Sequence, residues 1–142
     1  MKFNRILCPI DYSLYSRAAN YYASLFADSG DSEIIFLNVS NSNDSNVDEE
    51  ELDDQFTKLS TSIRPFVHGL RHEFEVRNGN PANEIVKFAN DRRVDLIVMG
   101  THGRTGASHM LHGSVCENVL RHANCPVMAV KSELDNDWVL PE

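Results

Sequence analysis

The sequence predicts an α/β fold: an open, parallel, five-stranded sheet with helices on both faces. Short apolar runs alternate along the chain with segments whose apolar residues recur at helical spacing, in the series βαβαβαβαβ. The run Asp95-Leu-Ile-Val-Met99 is almost continuously apolar, as a strand covered on both faces requires. The length of 142 residues suits one domain, which at this size buries roughly 70% of its unfolded surface. The expected strand order is 3-2-1-4-5, reversing between the first and fourth strands. Ligands bind such sheets at the carboxyl ends of the strands beside that reversal.

Phe3 to Ile10 reads as the first strand, buried toward its carboxyl end. Helical spacing begins after Ser13, a good N-cap, and places Tyr15, Ala18, Ala19, Tyr22 and Phe26 on one face. Asp28-Ser-Gly30 stops that helix. Glu33 to Val39 is the second strand, and the turn-rich Asn41 to Asn46 follows. Leu52, Phe56, Leu59, Ile63, Phe66, Val67 and Leu70 then mark a long helix that Pro65 should kink or shorten. Its acidic start suits the positive end of the helix dipole and reads as a solvated face. His72 to Arg77 alternates as the third strand. Gly79-Asn80-Pro81 supplies a turn, an N-cap and a first helical residue. Ala82, Ile85, Val86 and Ala89 form that helix's buried stripe, and Asp91 to Arg93 ends it. Asp95 to Met99 is the fourth strand and Gly100 to Gly113 a glycine-bearing loop. Val115, Val119, Leu120 and Ala123 stripe the last helix, and Pro126 to Val130 is the fifth strand. Residues 1–131 are read as a single domain and 132–142 as a polar tail with Trp138, Val139 and Leu140 near its end.

Thirteen Lys+Arg against twenty-one Asp+Glu leave a net charge of -8, which argues against nucleic acid or anionic membrane as a partner. No apolar run approaches a membrane span, and the amino terminus lacks the apolar core of a signal peptide. Cys8, Cys116 and Cys125 are far apart with no CxxC pair, so they read as reduced thiols rather than a disulfide framework or zinc site. A cytoplasmic location is the expectation.

The chemistry should lie in the two loops beside the strand reversal. After the first strand comes Pro9-Ile-Asp11-Tyr-Ser13; after the fourth comes Gly100-Thr-His102-Gly103-Arg104-Thr105-Gly106. Gly100 and Gly103 let backbone N–H groups approach an anion with no side chain between. Gly113-Ser114 opens a helix, where free N–H groups and the dipole favour phosphate. Arg104 could offset phosphate charge. The same glycines could equally be turn residues only. His102, His109 and His112 cluster, yet a transition-metal site would need converging geometry and a further ligand. The chain has no GxxxxGK[ST] P-loop, GxSxG elbow or kinase signature set.

Gly100-x2-Gly103-x9-Gly113-Ser114 matches the pattern G-x2-G-x9-G-[S/T] of the universal stress protein family. The chain resembles that family over nearly its whole length: Ile6 to Ser13, Asn38-Val39, Gly79-Asn-Pro81, Asp95 to Gly100 and Pro126 to Val130 occur in order. The resemblance implies a Rossmann-like fold, a homodimer paired through fifth strands, and, with the motif intact, ATP binding. Carried over by position, it implies Pro9, Asp11 and Val39 around the adenine and ribose. Met99, Gly100, His102 and Gly103 would line the floor and ribose-phosphate side. Gly113, Ser114 and Val115 would hold the phosphates. Cys116 stands where many nucleotide binders have Ser or Thr, and a thiol is a weak donor. A Mg2+ or Mn2+ ion would ride on the nucleotide phosphates. The function so implied is a stress-responsive module that binds ATP or a related adenine nucleotide. The alternative is a slow ATPase or a self-phosphorylating protein, with Ser114, Thr101, Thr105 or Ser108 as acceptor. No residue is an obvious activated base for that chemistry. A third reading is an interaction protein with a vestigial pocket.

Overall fold

The computed structural model describes residues 2–10, 16–27, 31–40, 57, 69–102 and 113–132. In chain order these form strand β1 (Arg5–Pro9), helix α1 (Ser16–Phe26), β2 (Glu33–Ser40), β3 (Arg71–Asn78), α2 (Pro81–Asp91), β4 (Leu96–His102), α3 (Gly113–His122) and β5 (Val127–Ser132). The strands make one parallel sheet in the order β3-β2-β1-β4-β5, as expected. The Ser13 cap, the Asp28 to Gly30 stop, the Asn41 to Asn46 turn, Gly103 to His112 and the tail from Glu133 lie outside the described residues. So do the residues expected in the long helix, apart from helical Thr57 and Leu70. Leu70 follows Gly69, which lies in a turn at φ 77, and leads into β3 rather than forming part of a helix. No described helix is long and apolar enough to cross a membrane.

The unbroken apolar runs work because side chains alternate across the sheet. Leu7, Ile35, Leu37, Val39, Ile97 and Met99 pack on one face against α2 and α3. Ile6, Cys8, Ile34, Phe36, Leu96 and Val98 pack on the other, with α1. Small residues carry the α1 contact: Ala18, Ala19 and Ala23 are buried, so the helix lies close to the sheet. Tyr22 and Phe26, expected on that buried face, are instead 38% exposed each and flank the contact. Phe26 meets Phe3 edge-on at 6.0 Å.

Helix α2 starts as the sequence indicates. Pro81 takes the first turn, and the Asn80 side chain accepts the Asn83 N–H at 3.0 Å. Phe88 joins its buried stripe, covered by the Arg77 and Arg92 guanidinium groups at 5.3 and 5.4 Å from the ring centre. Arg92 also pairs with Glu73 and lies within 3.9 Å of Glu75. In α3, Val115, Cys116 and Val119 are buried, whereas Leu120, one step further round the helix, is 50% exposed rather than part of the stripe. Strand β4 runs past Met99 and takes in Gly100, Thr101 and His102, which pattern alone assigned to a loop. Pairing with β5 sustains it, through Gly100↔Val130, Thr101↔Lys131 and His102↔Ser132.

The sheet is stitched at its amino-terminal edge by Asp95. Its carboxylate Oδ2 accepts the N–H groups of Asn4 at 2.7 Å and Arg5 at 2.9 Å, and its own N–H donates to the Arg5 carbonyl at 2.9 Å. At the opposite end of β2 and β3, the Ser40 hydroxyl donates to Asn78 Oδ1 at 2.7 Å. The Gly79 N–H donates to the Ser40 carbonyl at 2.9 Å.

Candidate functional site

The strand order reverses between β1 and β4, and the hydrogen-bonding pattern opens the sheet there. β1 pairs with β2 from Arg5↔Glu33 through Pro9↔Leu37. β4 pairs with β5 from Ile97↔Val127 through His102↔Ser132. Between β1 and β4 the described ladder covers Ile6↔Leu96 and Leu7↔Ile97. Pro9 gives a reason for that short ladder. The Ile10 N–H donates to the Leu37 carbonyl of β2 at 2.8 Å. Alternation along the strand then turns the ring nitrogen of Pro9 toward β4, where it has no hydrogen to donate. The described ladder therefore lacks a rung at the carboxyl ends of β1 and β4, beside the strand reversal.

Three adjacent strands bring predicted residues to this rim. Pro9 ends β1, Val39 sits next to last in β2, and Met99 and Gly100 lie in the carboxyl half of β4. All four are buried. His102 ends β4 opposite Ser132. Gly113 and Ser114 open α3, with Ser114 exposed. Asp11, Gly103 and Arg104 fall outside the described residues.

The predicted residues differ in what they can offer. Val39, Met99, Val115 and Cys116 share one apolar cluster. Their side chains fill the core, so what they can present to a ligand is main-chain N–H and C=O. Cys116 is 2% exposed, and burial pushes its thiol pKa up, so it remains a neutral packing group. Cys8 is likewise a buried thiol raised by desolvation, donating to the Asn20 side chain at 3.3 Å. The first turn of α3 carries no acidic residue, while Arg121 and His122 occupy its last turn. The first turn thus adds no negative side chain to the positive end of the helix dipole.

One residue of this rim was legible only as part of a strand. Asn38 is 7% exposed, and its side-chain N–H donates to the Ile10 carbonyl at 3.1 Å. The signal was an amide interrupting the apolar run Ile34 to Val39. A separate groove of about 390 Å³ lies between α2 and α3, lined by Asn83, Lys87, Asn90, Asp91, Asn118 and His122 among others. None of the predicted site residues lines it.

The family model for "Universal stress protein family" matches residues 2–131. The chain belongs to the universal stress protein family. Universal stress protein MJ0577 of Methanocaldococcus jannaschii is 31% identical, with 91% of this chain and 95% of the relative covered. Universal stress protein MJ0531 of the same organism is 52% identical over a shorter match, 44% of this chain and 37% of the relative's length. The solved structure of MJ0577 superposes with a TM-score of 0.70 at 30% identity, covering 95% of this chain and 100% of that one. An Archaeoglobus fulgidus universal stress protein solved in complex with dAMP gives 0.68 at 22% identity, covering 92% and 100%. A universal stress protein solved in complex with cAMP gives 0.65 at 22% identity, covering 92% and 98%. These likenesses establish the Rossmann-like universal stress protein fold for this chain.

Proposed function

We propose that this protein binds ATP or a related adenine nucleotide in the crevice between β1 and β4 and acts as a regulatory module in a stress response. The observation that supports the reading is where the described part of the motif falls. Gly100 lies in β4 at the strand reversal, and Gly113-Ser114 opens the helix that returns to the sheet. Two structural neighbours solved with cAMP and dAMP support adenine nucleotides as the ligand class. In this reading Pro9, Asp11 and Val39 bound the adenine and ribose. Met99, Gly100, His102 and Gly103 form the floor, and Arg104, Gly113, Ser114, Val115 and Cys116 serve the phosphates. For the buried members of that set the contribution is main-chain. Mg2+ or Mn2+ would accompany the phosphates, with phosphate oxygens as most of its ligands.

Hydrolysis, if present, is slow on this reading, because the sequence offers no obvious activated base beside a positioned water or hydroxyl. We further propose a cytoplasmic homodimer paired through β5, a sheet edge in this topology. The deciding experiment is to purify the protein without added nucleotide, denature it, and identify the released small molecules by chromatography and mass spectrometry. Near-stoichiometric ATP supports a binding module. ADP or AMP supports a slow enzyme. A preparation that releases nothing and shows only millimolar ATP affinity on titration refutes the reading.

A further inference from the structure

Asn38 is one of three buried polar residues among those described, with Asn20 and Ser32. Burying a primary amide is unfavourable unless its hydrogen bonds are made. It lies on the α1 face of β2, two residues on from Phe36, in the strand that pairs with β1 up to Pro9↔Leu37. Its partner is the carbonyl of Ile10, one residue beyond the end of β1. Ile10 is therefore held to β2 twice: its N–H by the Leu37 carbonyl and its C=O by the Asn38 side chain. Both anchors act from the β2 side, opposite to the β4 side on which Pro9 lacks a donor.

We propose that Asn38 is the positioning residue of the crevice: by fixing the Ile10 carbonyl to β2, it sets the direction in which the chain leaves β1 at the mouth of the nucleoside end of the site. With the Ile10 carbonyl held by β2 and Pro9 lacking a donor, the β4 side of this strand end is left to a nucleoside. Asn38 itself touches no ligand in this scheme. The ligand part rests on the adenine-nucleotide reading above; the positioning part does not.

The test uses the full chain, unmodified and as Asn38→Leu, which keeps the branched outline of the side chain and removes the donor. Asn38→Asp, which keeps the shape and replaces the donor by an acceptor, serves as a second variant. Two readouts are taken. Amide hydrogen exchange without ligand should speed up in the peptide spanning the carboxyl end of β1 and stay unchanged across β4 and β5. Calorimetric titration should show adenosine and ATP weakened by the same factor, roughly tenfold, the scale of one buried hydrogen bond. Their affinity ratio, which reports the phosphate contacts, should not move. A merely destabilised fold would raise exchange throughout, β4 and β5 included. Unchanged exchange at the end of β1 overturns the positioning role whatever binds. Faster exchange with undiminished adenosine affinity overturns the link to the nucleoside. If the unmodified chain binds neither compound, the nucleotide reading and the ligand part fall together, and the exchange result alone decides the positioning role.

Discussion

Replacing Asp95 by alanine should loosen the junction of β1 with β4 at the end opposite the crevice. The side chain accepts two backbone N–H groups, from Asn4 and Arg5, at 2.7 and 2.9 Å. Hydrogen bonds to a charged partner contribute roughly 1.5–3 kcal/mol each. Asn4 and Arg5 are exposed, so water reaches the freed donors in the variant and the cost falls below that range, to the roughly 1 kcal/mol of a typical hydrogen bond. The expected loss is thus about 2 kcal/mol. A domain of this length loses roughly 3–5 °C of Tm per kcal/mol, which puts the fall at about 6–10 °C. Asp95→Asn keeps one acceptor oxygen without the charge and should lose about half as much. Thermal unfolding followed by circular dichroism measures both, and the amides of Leu7 and Val98 should exchange faster. The described β1–β4 ladder covers Ile6↔Leu96 and Leu7↔Ile97, so few other rungs compensate. A Tm for Asp95→Ala within a degree or two of the parent, the range of an ordinary surface substitution, would refute this account.

Gly113→Val should abolish ATP binding in calorimetry while leaving the circular dichroism spectrum unchanged, because a branched side chain would occupy the phosphate position; normal binding would move the site elsewhere. In a thiol titration of the native protein near neutral pH, Cys8 and Cys116 should be silent and Cys125 slow. Burial raises all three pKa values and so depletes the thiolate, and three thiols should react in guanidinium. Ala129→Pro should give monomers in sedimentation if β5 edges pair. The Ile97 N–H bonds the Pro126 carbonyl, so alternation turns the Ala129 N–H to the open edge and the sheet keeps its own bonds. Ser40→Ala should speed conversion of Asn78 to aspartate and isoaspartate on incubation, read by peptide mapping. The Ser40 hydroxyl holds the Asn78 side chain, while the Ser40 carbonyl engages the Gly79 N–H that would attack it.

What the sequence revealed follows from how local each signal is. The strands around Leu7, Ile35 and Ile97 were legible because a core covered on both faces demands unbroken apolar runs. The start of α2 was legible because Asn80 and Pro81 act within a single turn. Helix faces were read less well. Tyr22, Phe26 and Leu120 sit at the margin of their stripes, where exposure depends on how closely the helix approaches the sheet, a distance set by Ala18, Ala19 and Ala23. The end of β4 was missed because glycine reads as a turn residue, and only pairing with β5 keeps Gly100 in a strand. In the candidate site, the order of the strands singled out the loops that begin at Pro9 and Gly100, whereas Val39 and Met99 were named only by the family resemblance. The bond from Asn38 to Ile10 could not, since it joins residues 28 apart whose contact exists only after β1 and β2 pair.

The two borders of the sheet differ in a way that bears on growth in solution. A sheet with an open strand at each side can in principle add copies head to tail without limit, as a fibre does. Here β3 closes one border with charge: Arg71, Glu73, Glu75 and Arg77 occupy alternate positions along it. The other border, β5, begins Val127-Met-Ala-Val130 and carries its first charge only at Lys131. Head-to-tail addition would have to seat that apolar strand against the charged one. If two copies pair through β5, as proposed, that pairing would use up the less charged of the two described borders and would terminate at two rather than seed a polymer.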